Sequence, residues 1–347
     1  MVAPVGARGA DKIAPKVMVI ATFETGKDKG DVPGELQEWA EREHLDQEIK
    51  VPGMEHPVLT NGKGLYAMIS GVTARSAVQM MALAMDPRFD LRHTYFLLSG
   101  IGGADPAHVS LGSAVWIKQV VDGDPIFEID AREMPGTWPY GTIAMGETEP
   151  GKVPANVDAA PAAGVSEDGA GGVGRMVYTL NPPLVEWAYQ LTKGVALQDA
   201  PRLAANRATF KDYAGAAQRP GVLEGDSLAT NRFWHGAAMN HWAEDWVRLY
   251  TKGAGSLLIS DCEDQGVELA MQELDRLGRV DVKRLLILRS ASNFTVPPPG
   301  MAPEKSLFEG LADSPGYLPA LDANYRVGKV VVDALLDDWA KYEAKIP

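Results

Sequence analysis

The stretch Leu257–Phe294, LLISDCEDQGVELAMQELDRLGRVDVKRLLILRSASNF, decides the fold. An apolar run, Leu257–Ile259, meets the acidic turn Asp261-Cys262-Glu263-Asp264. A segment of helical period follows, with Val267, Ala270, Met271 and Leu274 on one face. A second apolar run, Leu285–Leu288, then ends in Arg289-Ser290-Ala291-Ser292-Asn293. The pattern predicts a strand, a helix and a strand, with polar residues at both strand ends. In open α/β sheets, ligands bind at such ends. The acidic turn and the RSASN end are therefore the first candidates for a site.

Working outward, Lys16–Phe23 reads as a strand, followed by Glu24-Thr25-Gly26-Lys27 rather than a glycine fingerprint for a dinucleotide. Leu36–Glu43 and Ala74–Met85 read as helices and Leu65–Ile69 as a strand. Tyr95–Leu98 is a strand running into the glycine-rich loop Ser99–Gly103, and Ala114–Val121 is the next strand. Gly100, Gly102 and Gly103 leave backbone N–H groups uncovered, as an anion or hydroxyl cradle requires; a tight turn explains them equally. Helices are predicted over Leu184–Lys193, Pro201–Ala216, Gly236–Lys252 and Tyr325–Tyr342. Gly151–Gly174 is rich in Ala, Gly and Pro and reads as a surface insert. The expected organisation is a flexible leader over 1–15 and a single α/β domain over 16–347, with that insert near 151–174.

Composition narrows the function. The 347 residues are 46% hydrophobic and carry a net charge of −13, which disfavours nucleic acid and anionic membrane surfaces as partners. No apolar run is long enough to span a bilayer. The first residues lack the apolar core of a signal peptide; they fit a soluble protein, cytoplasmic or the mature form of an exported one. The single cysteine, Cys262, excludes an intrachain disulfide and a multi-thiolate metal site. HExxH, GxSxG and Walker A patterns are absent, so no metal and no cofactor is expected. Glu263 has a structural alternative: Ser260-Asp261-Cys262-Glu263 matches the S-x-x-E capping box.

The segments PKVMVIATFE, ISGVTARSAVQMMAL, DPRFDLRHTYFLLSGIGGADPAHVSLGSAVW, WPYGT, GVLEGDS, FWHG, SDCEDQG and LRSASNF, in that order, resemble the purine nucleoside permease family. That family is similar in turn to the nucleoside phosphorylase and nucleosidase superfamily. The resemblance implies a phosphorylase-like fold, a central mixed β-sheet flanked by helices, and a homo-oligomer. It implies a purine nucleoside (inosine, guanosine or adenosine) as ligand, with water or phosphate as co-substrate. Cys262-Glu263 falls where those enzymes carry Met-Glu, whose Glu bonds the ribose hydroxyls. Asn293 falls where many relatives place a purine-contacting Asp, with Ser292 beside it; an amide there bonds N7 or a 6-oxo group but cannot protonate N7. Ser99, Gly100, Gly102 and Gly103 fall on the loop holding phosphate or the attacking water. The Arg that phosphorylases place before that loop is replaced by Leu97 and Leu98, with Arg75 or Arg132 as substitutes. This tilts the expectation toward hydrolysis, with Glu24 as the carboxylate that activates water. Trp138, Tyr140, Phe233 and Trp234 are the stacking candidates. Asp226 and His235 complete the expected substrate contacts. Phosphorolysis, and nucleoside binding without chemistry in support of uptake, are the alternatives.

Overall fold

A computed structural model describes residues 12–153, 176–310 and 313–347. Its strands are β1 (Val17–Ala21), β2 (Gln47–Ile49), β3 (Val58–Thr60), β4 (Leu65–Ile69), β5 (Tyr95–Ala104), β6 (Ala114–Asp122), β7 (Ile126–Glu128), β8 (Thr142–Ala144), β9 (Val177–Thr179), β10 (Val222–Ala229), β11 (Leu257–Asp261) and β12 (Leu285–Phe294). Its helices are α1 (Gln37–Arg42), α2 (Arg75–Met85), α3 (Pro182–Thr192), α4 (Pro201–Thr209), α5 (Ala237–Tyr250), α6 (Asp264–Arg276), α7 (Pro303–Gly310), α8 (Tyr317–Asp337) and α9 (Trp339–Ala344).

Ten strands form one mixed sheet in the order β11-β10-β6-β12-β5-β1-β4-β3-β2, with β9 on β6; β7 and β8 make a separate hairpin. All five residues of β1 are buried, as expected for a central parallel strand covered on both faces. The far end of β5 turns to pair antiparallel with β11, Gly103 opposite Ser260 and Ala104 opposite Ile259. That pairing closes β5, β12, β6, β10 and β11 into a ring. A long core cluster runs under β1, β4, β5, β6 and β12, while Trp234, Trp242, Trp246 and Tyr250 build a second core beside β10 and β11.

Two strands run past their apolar cores. Ser99–Gly103, predicted as a loop, continues β5, and Arg289–Phe294, predicted as the polar end of a strand, continues β12. The two segments pair in parallel with each other, which satisfies their backbone groups inside the sheet. The pairing slips between Ala291 and Asn293, so Ser292 is an extra residue. Such a bulge breaks the alternation of a strand and re-aims its side chains. Helix α4 stops at Thr209, short of the predicted Ala216, and α8 starts eight residues before the predicted Tyr325, at Tyr317. The Ala/Gly/Pro-rich insert lies largely outside the described residues, as do residues 1–11 of the expected leader. Ile13 bridges to Phe89.

Candidate active site

The ends of β1, β5, β11 and β12 surround a cavity of about 430 Å³. Strand β5 contributes backbone rather than side chains here, through Ile101, Gly102 and Gly103. A Cβ on Gly102 would lie 2.5 Å from Ile259 Cγ2 and 2.8 Å from the Ser260 carbonyl oxygen, so only glycine lets β5 and β11 meet. Strand β11 and the following turn supply Ser260, Asp261, Cys262 and Glu263, and the bulge on β12 turns both Ser292 and Asn293 into the cavity. Thr73, which also lines the cavity, holds φ at +61°, a costly conformation for a β-branched residue.

At the centre stands Arg289, fully buried. Its Nη2 donates to Glu263 Oε2 at 3.0 Å and to Asp264 Oδ1 at 2.7 Å, and Nη1 donates to the Ile101 carbonyl at 2.9 Å. Asp261 Oδ1 lies 3.6 Å from Nη2. Glu35, also buried, reaches in from the segment before α1. Its Oε2 accepts from the Thr22 N–H at 2.6 Å and the Thr22 hydroxyl at 2.7 Å; its Oε1 accepts from the Ile101 N–H at 2.6 Å. Four carboxylates thus surround one guanidinium.

That imbalance decides the protonation chemistry. Burial pushes the Glu35 carboxyl up to about 7; the Arg289 charge opposes the rise and the Glu263 charge adds to it. Burial raises Glu263 too, again against Arg289. Asp261 is held well above the carboxylate range by burial and by Asp264. Burial works against the Arg289 charge, but Asp264, Asp261 and Glu263 outweigh it and keep the guanidinium protonated. Burial, with the Glu263 and Asp261 charges, pushes the Cys262 thiol up to about 12, which rules out a thiolate nucleophile at neutral pH.

The capping-box alternative for Glu263 is not what forms. Asp261 Oδ1 caps α6, accepting from the N–H groups of Glu263 and Asp264 at 3.1 and 2.9 Å. Apart from a 3.3 Å bond from the Cys262 N–H, the Glu263 carboxylate is left for Arg289 and the cavity.

Of the residues expected from sequence, Glu263, Asn293, Cys262, Ser292, Gly102, Gly103, Phe233 and Trp234 line this cavity together. Others lie elsewhere. The Glu24 carboxylate turns back to accept from the N–H groups of Thr25, Gly34, Leu36 and Gln37, fixing the loop before α1. Ser99, within β5, is buried away from this cavity, accepting from Trp39 Nε1. A Cβ on Gly100 would run into the Arg289 guanidinium and lie 3.0 Å from Glu35 Oε1, so Gly100 makes room for that pair. Tyr140 sits in the second core with its hydroxyl on Asp245, 3.2 Å away. Trp138 stands outside the cavity wall, in the turn before Tyr140. Asp226 lies within β10 and accepts from the Ser256 N–H. His235 faces a neighbouring cavity. Arg75 and Arg132 are exposed, paired with Glu55 and Asp130. Sequence reasoning missed Glu35 and Arg289. The signal for Arg289 was a charged residue directly after four apolar ones in a central strand; Glu35 gave none.

A profile of the purine nucleoside permease family matches residues 14–347. The chain belongs to that family. Among similar permease sequences, a "Probable purine nucleoside permease" of Schizosaccharomyces pombe is 27% identical over 280 residues, 77% of this chain and 74% of that one. A "Purine nucleoside permease" of Candida albicans is 24% identical over 95% of this chain and 77% of its own. Among solved structures, the permease-family fold resembles a 5'-methylthioadenosine/S-adenosylhomocysteine nucleosidase from Neisseria meningitidis (TM-score 0.51, 14% identity, 92% of this chain, 99% of that one). It also resembles futalosine hydrolase of Helicobacter pylori (TM-score 0.52, 13% identity, 92% and 98%). At these identities the likeness establishes the fold alone, a nucleoside phosphorylase-like one. Among the described residues of this permease-family member, no helix is long and apolar enough to cross a membrane.

Proposed function

We propose that the protein cleaves the N-glycosidic bond of a purine nucleoside with water, releasing free base and ribose. One observation carries the reading: a single cavity is lined by three buried carboxyl groups, Glu35, Asp261 and Glu263, gathered around Arg289, together with the Asn293 amide. Glu263 accepts hydrogen bonds from the ribose hydroxyls and opposes the positive charge that develops on the sugar as the bond breaks. Glu35, with its pKa near 7, takes a proton from the attacking water. Oxygen bonds to the anomeric carbon, the glycosidic electron pair leaves with the purine, and the base takes a proton from solvent while Glu35 returns its own to solvent. The Asn293 amide bonds the N7 edge of the departing base. Glu35 replaces Glu24 in the water-activating role, because only Glu35 faces the cavity.

Phosphate finds little here. Arg289 is committed to carboxylates, and Arg232, which also lines the cavity, pairs with Glu128 at 2.8 Å and lies over the Trp242 ring. The permease names of the relatives support a second reading, nucleoside binding in aid of uptake without turnover. Incubating purified protein with inosine, guanosine and adenosine, with and without phosphate, and resolving free base by chromatography separates the readings. Base release without phosphate is expected. Stoichiometric binding with no base released would assign the carrier role. The Glu263→Gln variant is expected to fold normally and lose cleavage; unchanged turnover would remove Glu263 from the mechanism.

A further inference from the structure

A second cavity, of about 260 Å³, adjoins the first and shares Asn293 and Ser314 with it. Its walls are mostly carbon: Phe210 and Phe294, with ring centroids 4.4 Å apart, then Val296, Pro298 and Met301. Among its described lining residues, Asp313 alone is formally charged. His235 is half-buried, its pKa lowered by burial, and its Nε2 lies 3.0 Å from the Ser306 hydroxyl. Asp313 is exposed at the rim and paired with Arg202.

We infer that this cavity is a second lobe of the substrate cleft, taking an uncharged apolar group on the 6-position of the purine. The inference rests on the proposed function, in which Asn293 meets the base. The N7 atom and the 6-substituent lie on the same edge of a purine. A base held at N7 by Asn293 therefore directs its 6-substituent past that residue, and the space beyond Asn293 is the second cavity. Its size suits a ring or a branched chain, since an apolar cavity of about 150 Å³ accommodates benzene. Burial of that group against Phe210, Phe294 and Met301 adds apolar contact that adenosine itself does not make.

The test compares adenosine with N6-benzyladenosine on the full chain, by titration calorimetry and by release of free base. The benzyl compound is expected to bind about tenfold more tightly. Met301→Trp, at a partly exposed position on the lobe's rim, is expected to erase that advantage and leave adenosine binding unchanged. Adenosine bound or cleaved with the benzyl compound excluded, or bound no better, overturns the inference and leaves the proposed function standing. So does a Met301→Trp variant that weakens both ligands equally. Failure of both nucleosides to bind overturns the two together.

Discussion

At the scale of single residues, Glu35 bears the most chemical weight. In the proposed reaction Glu35 is the general base, which works only when ionised, so cleavage is expected to rise with pH through about 7 and then level off. Glu35→Gln keeps one acceptor for the Ile101 N–H but cannot take a proton. It is expected to lower kcat by a factor on the order of 10²–10⁴ with KM little changed, and to abolish the rise near neutrality. A pH profile that survives the substitution would remove Glu35 from proton transfer. Stability follows the opposite sign. A carboxyl whose pKa is higher folded than unfolded holds its proton more tightly in the native state. It therefore costs stability as the pH climbs from its ordinary value of 4.5 to about 7. Thermal unfolding at about pH 5 and about pH 8 is expected to show the variant gaining on the wild type as pH rises. None of this was legible in the sequence. Glu24 and Glu35 are both acids near the first strand. What separates them is which backbone N–H groups each finds: four local ones for Glu24, and Thr22 and Ile101 for Glu35. Proximity to Ile101, 66 residues away, is a property of the folded sheet.

At the scale of elements, the strand–helix–strand unit of β11, α6 and β12 was readable because its apolar runs and its one-sided helix are local patterns. Val267, Ala270, Met271 and Leu274 are indeed the buried face of α6. The lengths of β5 and β12 were not readable. Their outer halves, SGIGGA and RSASNF, have loop composition, yet each is paired into the sheet. Glycine in β5 is there because Arg289, Glu35 and β11 crowd it, which is a tertiary requirement that looks like turn chemistry in one dimension. This gives a prediction at the β5–β11 junction. Gly102→Ala forces a methyl group against Ile259 and the Ser260 carbonyl, part of it unyielding backbone. The variant is expected to lose roughly 1–3 kcal/mol of stability. Its nucleoside affinity should fall as well, because the same junction carries Ser260–Glu263 along one wall of the cavity. Chemical denaturation and nucleoside titration measure the two effects. A variant of native stability and affinity would show that the ring closes without the glycine.

At the scale of the whole molecule, the mixed sheet gathers acids from distant parts of the chain onto one guanidinium, in a protein already at −13. Glu35 arrives before α1, Asp261 ends β11 and Glu263 follows it, and Arg289 comes from β12. Repulsion among like charges in a desolvated space is strong; Arg289, buried behind the cavity wall, is held by carboxylates, and Arg232, which lines the cavity, pairs with Glu128. An anion entering the cavity meets a field that opposes it. Two outcomes are expected. Base release from adenosine should proceed at the same rate with and without about 50 mM inorganic phosphate, far more than a specific phosphate site would need to fill. Adenosine 5'-monophosphate should bind at least about tenfold more weakly than adenosine, the gap narrowing but persisting as salt is raised, because buried charges are screened less than exposed ones. Competition assays across ionic strength measure the second, and product analysis the first. Ribose 1-phosphate among the products, or faster base release with phosphate, would show that Arg289 or Arg232 gives up its carboxylate to an incoming anion. The enzyme would then be a phosphorylase whose anion site assembles only on binding.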